Sequence, residues 1–422
     1  MFGHSRVSSS MYKRMTSRDY MEADDVELDK HDDLGFIENG DEQQEMSTPS
    51  WKRSCPHVLV ATIVSFLFGY HIGVVNEPLE SISIDLGFNG NTLAEGLVVS
   101  TCLAGAFLGS LFSGWIADEV GRRRAFQLCS LPMLIGALVW WRICFWVSLV
   151  PAAVLAFGMI FCAESPYWLY KHGRLTEAEA ELEKLQGSSH VRTAMLELSK
   201  LDRGDEHDTI QLSELLYGRH SRVVFIGSTL FALQQLSGIN AVFYFSSTVF
   251  RHAGVSSNLA NVFIGIANLT GSVVALILMD RLGRRGLLLW SFLGMAVSMG
   301  LQVFASTIAS SYASFFLSVA GMLFFVFTFA IGAGPVPGLL LPEIFPGRIR
   351  AKAMAFCMSV HWVFNFLVGL LFLRMLEKVG PQVLYGMFGT FCMIAVGFVK
   401  RNVMETKGKS LQEIEIALLP QE

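Results

Sequence analysis

Ten stretches of the chain, at 56–76, 94–117, 124–141, 143–162, 222–250, 259–279, 286–306, 313–341, 352–376 and 382–402, are long and nearly free of charge. Each runs for about 18 residues or more, enough for a helix to cross roughly 30 Å of hydrocarbon. A water-soluble fold has no way to bury so many such blocks. In lipid, every backbone N–H and C=O must be satisfied inside the segment, which leaves helices as the spanning structure for blocks of this length. The expected class is therefore an all-α membrane protein. Composition agrees: 52% of residues are hydrophobic and 16% charged, against about a quarter charged in soluble domains.

The net charge of −4 and the lack of a basic stripe interleaved with aromatics exclude nucleic acid as a partner. Cys55, Cys102, Cys129, Cys144, Cys162, Cys357 and Cys392 all fall in or beside apolar blocks, without the paired spacing of a zinc site or a disulfide framework. They are expected to act as small buried hydrophobes. No metal or cofactor is implied.

Five regions follow. Residues 1–53 form a polar tail, 54–162 a first bundle of four spans, 163–221 a polar linker, 222–402 a second bundle of six spans, and 403–422 a second tail. The linker carries a helical pattern from Thr176 to Leu185. In the first tail, four basic residues precede Asp19 and twelve acidic residues crowd the stretch from there to Glu45. Such a segment buries too little surface to fold. Its acid-free start suits a transit peptide and the acidic run suits an ordinary cytosolic tail. If that tail and the linker share one side of the membrane, every Lys and Arg except Arg142, Arg251, Arg374 and Lys378 lies on it. The positive-inside rule makes that side cytoplasmic or its organellar equivalent.

Asp118-Glu-Val-Gly121-Arg122-Arg123 follows the second span and Asp280-Arg-Leu-Gly283-Arg284-Arg285 follows the sixth. The same D-x-x-G-R-R turn at corresponding places marks an internal duplication. The second copy has six spans and the first has four, so two helices are expected to be missing. The apolar run from Ala125 to Cys162 is interrupted only by Trp140-Trp141-Arg142, which locates the seam there.

Gln234-Gln-Leu-Ser-Gly-Ile-Asn240, the two D-x-x-G-R-R turns, Glu164-Ser-Pro166 and Glu405-Thr-Lys-Gly408 together resemble the signature set of the sugar porter family of the major facilitator superfamily. Phe68-Gly-Tyr-His-Ile-Gly73, Gly334-Pro-Val-Pro337 and Leu341-Pro-Glu-Ile-Phe345 are similar to its plastidic glucose transporter branch in particular. The resemblance implies a major facilitator-type bundle with ten transmembrane helices, four plus six, in place of twelve. It also implies a hexose substrate carried by alternating access, with the plastid envelope as the membrane.

Gln234, Gln235 and Asn240 place three amides within two turns of an apolar span, where an unpaired amide costs several kcal/mol, so they should face the bundle interior. Amides both donate and accept, as sugar hydroxyls require; they serve equally to tie helices together. Asn268, Trp362 and Asn365 line the sugar pocket in the resembling family, and the Trp ring reads also as plain packing. Asp118, Arg122, Arg123, Glu164, Asp280, Arg284, Arg285, Glu343, Arg350 and Glu405 look like a cytoplasmic latch of charge pairs, and the basic ones also anchor topology. Gly334, Pro335, Pro337 and Gly338 would let their span bend.

His71 stands where proton-coupled relatives carry an Asp. It is a proton-linked candidate, yet a neutral buried His is the commoner state, which favours facilitated diffusion. Gly338 and Ala330 replace a Trp and a Glu usual in the family, and Ala163 and Met404 stand where it has Pro. The Asn268-Leu-Thr270 sequon lies mid-span, out of reach of glycosylation. The alternative function is a non-transporting variant that senses sugar or binds a partner. An intramembrane enzyme is disfavoured, since the spans hold no Ser-His-Asp, H-E-x-x-H or paired-Asp arrangement.

Overall fold

The computed structural model describes residues 51–75, 78–139, 146–204, 212–218, 220–252, 257–308 and 312–409, with 413, 414 and 417. The expectations for the first tail and for the Trp140–Arg142 seam lie outside the described residues. The apolar blocks form helices, and no strand occurs among the described residues. The first half contains α1 (Trp51–Val74), α2 (Leu79–Asp85), α3 (Thr92–Val120), α4 (Arg122–Val139) and α5 (Leu149–Phe161). The linker folds as α6 (Pro166–Lys171), α7 (Leu175–Gln186), α8 (Val191–Gly204) and α9 (Leu212–Tyr217).

The second half contains α10 (Ser221–Leu236), α11 (Ile239–His252), α12 (Ser257–Thr307), α13 (Tyr312–Thr328), α14 (Pro335–Ile344) and α15 (Gly347–Asn402). Among the described residues, six stretches are long and apolar enough to cross a membrane: Trp51–Val74, Thr92–Val120, Ser221–Phe245, Asn261–Thr307, Phe316–Ile344 and Ile349–Asn402. Two of these are doubled. The 47 residues of Asn261–Thr307 would run about 70 Å if straight, more than twice the hydrocarbon thickness. They reverse at Gly283 (φ 78°, ψ 171°), and α15 reverses at Gly380 (φ 79°, ψ 164°). That backbone region is essentially restricted to glycine.

Three local features differ from the sequence expectation. The expected span 222–250 is broken at Ser237-Gly238, with Gly238 at φ 85°. The bend near Gly334 is a π-helical turn over Phe329–Ala333, placed just before Pro335. Cys102 and Cys129 are exposed on the apolar surface, whereas Cys162, Cys357 and Cys392 are buried as expected.

The two halves pack unequally. One large core joins α10 to α15 and takes Val99 and Leu103 from α3. A second, small core of Leu67, Ala152, Leu155, Met159 and Cys162 holds α1 to α5, with partly buried side chains of α4 against it. Of the most apolar 18-residue window in each span, 6% is buried in Trp51–Val74 against 67% in Ser221–Phe245. The first half thus exposes far more of its apolar surface.

α3 leaves that half to lie antiparallel along the first part of α15. Thr92 bonds Glu377 (3.0 Å), Ser100 donates to the Phe366 carbonyl (3.3 Å), and the Ser110 and Ser359 hydroxyls meet at 3.4 Å. The approach is close because Gly96 has no side chain: a Cβ there would fall 2.5 Å from the Leu370 carbonyl oxygen.

Candidate functional site

The break at Ser237-Gly238 turns the Q-Q-L-S-G-I-N segment inward, and its amides form a directed chain. Gln234 Nε2 donates to the Ala333 carbonyl at 2.6 Å and the Gly334 carbonyl at 3.3 Å. The Ala333 carbonyl is free to accept because the residue four further along is Pro337, which has no N–H to offer it. Gln235 Nε2 donates to Gln234 Oε1 (3.4 Å), and Asn240 Nδ2 donates to Gln235 Oε1. Gln234 and Gln235 are almost fully buried.

On α15, Asn365 Oδ1 accepts from the Tyr244 hydroxyl at 3.2 Å, while its Nδ2 is buried with no hydrogen-bond partner. Trp362 is buried with Phe68 of α1 edge-on at 5.7 Å. The site thus combines paired amides, one amide N–H group with spare donor capacity and an aromatic face. Those are the parts needed to hold a polyol with apolar C–H faces.

Not every expected residue joins it. Asn268 is half-buried on α12 and forms no side-chain hydrogen bond with the amide chain. His71 lies on α1 with Tyr70 edge-on at 6.0 Å and its Nε2 buried without a partner. Two members escaped the sequence reading: His361, 3.1 Å from Gln235 through Nδ1, and Tyr244. Helical spacing could have found both, since Tyr244 follows Asn240 by four and His361 precedes Asn365 by four, on shared faces.

A cavity of about 650 Å³ opens beside the α3–α15 seam, lined by Phe107, Leu111, Leu215, Phe356, Ser359 and Val363 among others. It uses the face of α15 opposite His361 and Asn365. Its wall is almost wholly apolar, so the amide cluster is the better candidate for a hydroxylated ligand.

The two D-x-x-G-R-R turns share one construction. Glycine takes φ 92° at Gly121 and 78° at Gly283, and a carboxylate fills the space a Cβ would need, 2.6 Å from Glu164 and 2.5 Å from Glu405. Glu164 accepts the Arg123 (3.1 Å) and Ser165 (2.9 Å) backbone N–H groups. Glu405 accepts those of Arg284 (2.8 Å) and Arg285 (3.0 Å). Each carboxylate therefore caps the helix that leaves its turn, where the dipole favours negative charge. Arg123 and Arg285 then bond the carbonyls of Cys162 (3.3 Å) and Lys400 (2.6 Å) at the end of each half. Burial alone would raise the Glu405 pKa, but the backbone N–H groups of Lys407, Arg284, Arg285 and Gly286 outweigh it and hold the carboxyl below its ordinary value.

The charge pairs depart from a simple latch. Arg122 pairs with Asp118 at 2.9 Å, whereas Arg284 pairs with Glu343 at 3.0 Å and leaves Asp280 exposed. Glu343 also accepts from Thr406 Oγ1 (2.6 Å), and Arg350 Nε donates to the Phe345 carbonyl (3.2 Å).

Comparison with known proteins places this arrangement. The family described as sugar (and other) transporter matches residues 57–140 and 139–418, in two pieces that meet at the seam. Probable plastidic glucose transporter 2 of Arabidopsis thaliana is 60% identical over 494 aligned positions, covering 99% of each chain, and probable plastidic glucose transporter 3 is 56% identical over 96% of each. A solved structure of the proton:xylose symporter XylE bound to 6-bromo-6-deoxy-D-glucose is 25% identical with a TM-score of 0.72, over 87% of this chain and 99% of that one. With matched duplicate turns, a helical fold and an amide-lined interior, the chain belongs to the sugar (and other) transporter family.

Proposed function

We propose that this chain binds a hexose at the Gln234–Gln235–Asn240 amides, Asn365 and Trp362, and carries it by alternating access as a facilitative transporter of the plastid envelope. The observation that carries the reading is the buried Asn365 Nδ2, unpartnered beside a closed amide chain and the Trp362 ring. A buried amide N–H without an acceptor costs about 1–3 kcal/mol, which a sugar hydroxyl would recover on binding. The names of the glucose-transporting relatives support hexose and plastid, and the glucose derivative in the XylE structure supports the ligand class. Facilitation is supported by the Gln234, Gln235, Asn240, Asn365 and Trp362 side chains, none of which exchanges a proton near neutral pH. Calorimetric titration of the purified chain with D-glucose tests binding; a flat titration would refute the site.

A second reading, binding without transport, is favoured by the thinly packed first half. The alignment with the first relative runs over 494 positions where this chain has 422 residues, and the family match divides at 139–140. The relative's unmatched residues are enough for at least two further spans of about 20 residues each. Rocking needs two rigid bodies, and α1 and α4 have little to lean on. Radiolabelled glucose uptake into proteoliposomes, beside a chain with the relative's segment inserted at the seam, separates the two: equal saturable uptake supports transport, uptake by the restored chain alone supports binding only.

A further inference from the structure

We propose that Ser291 of α12 is a positioning residue of the site: its hydroxyl pins the bend of the α13–α14 span to α12 and so holds the Ala333 carbonyl where Gln234 meets it. The consequence for a ligand rests on the hexose reading; the pinning does not.

The bend is a change of helical register. A regular α-helix would pair the Ala333 N–H with the Phe329 carbonyl, four residues back. In the π-helical turn that carbonyl accepts the Gly334 N–H instead, at 2.9 Å. The preceding pair at the same five-residue step is the Thr328 carbonyl and the Ala333 N–H, and one side chain from another helix serves both. Ser291 Oγ accepts from the Ala333 N–H at 2.8 Å and donates to the Thr328 carbonyl at 2.7 Å. A hydroxyl can do both at once, having one donor and two lone pairs. A side chain inserted into a helix ladder in this way is a physical cause of a kink. Ser291 is 2% exposed and Ala333 is fully buried, so bulk water does not compete for these groups.

α12 lies close enough to do this because Gly332 has no side chain. A Cβ there would fall 2.5 Å from the Leu287 carbonyl oxygen and 2.7 Å from Ser291 Cβ, and Leu287 and Ser291 share one face of α12. On the other side of the bend, Gln234 of α10 donates to the Ala333 carbonyl at 2.6 Å. Pro337 leaves that carbonyl free but does not aim it. Its aim follows from where residue 333 is held, and Ser291 holds that residue by its N–H. Without the hydroxyl, the Thr328 carbonyl and the Ala333 N–H are buried groups in need of partners. Closing onto each other would draw residue 333 away from α10. Gln234 begins the amide chain that runs through Gln235 to Asn240, so a displacement at Ala333 reaches the ligand-facing amides.

A tie between the same two helices lies outside the site and serves as the control. Gln302 of α12 donates to the Ser318 carbonyl at 2.6 Å and accepts from the Ser318 hydroxyl at 3.0 Å. It stands eleven residues, or roughly 16 Å, along α12 from Ser291.

The first test is thermal unfolding of the full chain in lipid nanodiscs, without sugar. Ser291→Ala and Gln234→Leu should each lower the unfolding temperature, and the double variant should fall by clearly less than the sum, because the Gln234 bond is worth less once residue 333 has shifted. Gln302→Leu with Gln234→Leu should be additive. Additive or greater losses for the Ser291 and Gln234 pair overturn the pinning. Ser291→Cys, which keeps a weak donor and acceptor, supplies the same cycle if the alanine variant does not fold. For the consequence, Ser291→Ala should weaken D-glucose binding about three- to tenfold in calorimetry, and Gln302→Leu should leave it within about twofold of wild type. Unchanged affinity in a folded Ser291→Ala chain, or an equal loss in Gln302→Leu, overturns the positioning role. If wild type binds no glucose while the unfolding temperatures remain coupled, the hexose reading fails and the pinning of Ala333 by Ser291 stands.

Discussion

Glu405→Ala should be the most damaging single change at the two glycine turns. Its Oε1 accepts the Arg284 N–H at 2.8 Å and those of Thr406 and Lys407 at 3.1 Å, and its Oε2 accepts the Arg285 N–H at 3.0 Å. Two of these donors open the second half of α12 and have no partner within the helix. A lost cap costs about 0.5–2 kcal/mol, and bonds to a charged acceptor about 1.5–3 kcal/mol each. Water reaches the half-exposed site and replaces part of the loss, which puts the net at about 2–3 kcal/mol. Glu164→Ala removes two acceptor contacts, one of them to the first turn of α4, and should cost about 1–2 kcal/mol on the same scale. Thermal unfolding of the purified chain in one detergent, followed by circular dichroism, gives the comparison. Glu405→Ala within about 0.5 kcal/mol of wild type, or Glu164→Ala the worse of the two, would refute the capping argument. The pH dependence has a definite sign. The folded pKa of Glu405 is depressed, so its contribution is complete above the ordinary carboxylate value of about 4.3 and is lost as pH falls through the lower folded value. Glu405→Gln should flatten that acid limb.

Gln235→Ala and Asn240→Ala should each weaken glucose binding by on the order of 1 kcal/mol, about fivefold, in calorimetry; unchanged affinity in a folded variant returns these amides to helix packing. Gly96→Ala places a methyl 2.5 Å from the Leu370 carbonyl oxygen and should separate α3 from α15, lowering the unfolding temperature and the yield of a disulfide engineered between Ser110→Cys and Ser359→Cys. Arg284→Ala should destabilise more than Arg122→Ala, because the Arg284–Glu343 pair is 21% and 27% exposed and the Arg122–Asp118 pair 39% and 66%, and exposed pairs contribute about 0–1 kcal/mol; equal midpoints would refute the ranking. Lys30→Cys and His190→Cys should be labelled by an impermeant reagent from the same side of a sealed vesicle, and opposite sidedness would overturn the charge-bias topology.

What was legible in the sequence is what lipid enforces. A block without charge must close its own hydrogen bonds, so the helical class and the D-x-x-G-R-R repeat could be read directly, and Gly121 and Gly283 take the same backbone conformation 162 residues apart. The conformation of the amide segment was less legible. Ser237-Gly238 breaks the span because Gly238 adopts φ 85°, and the acceptors of Gln234 are the Ala333 and Gly334 carbonyls, 99 and 100 residues along the chain. Hydrophobic periodicity carries no signal for a partner at that separation. A lone His361 beside Trp362 carries little signal by itself; the four-residue step from it to Asn365, which puts both on one helix face, is the informative spacing.

The latch shows how tertiary context overrides a repeat. Arg122 and Arg284 occupy equivalent places, and each has an Asp four residues before it, yet only Arg122 uses that Asp. In the second half, α14 delivers Glu343 to the turn, where the pair is more buried and Thr406 holds the other oxygen. Less solvent screening and a second hydrogen bond make Glu343 the stronger partner, and Asp280 is released to the surface. The first half has no described helix in the place of α14, so Arg122 falls back on the local, exposed Asp118. A chain with a helix restored at that place and bearing a carboxylate should therefore draw Arg122 away from Asp118, and Asp118→Asn should then cost nothing, whereas in the present chain it should remove the ion pair that Arg122 has.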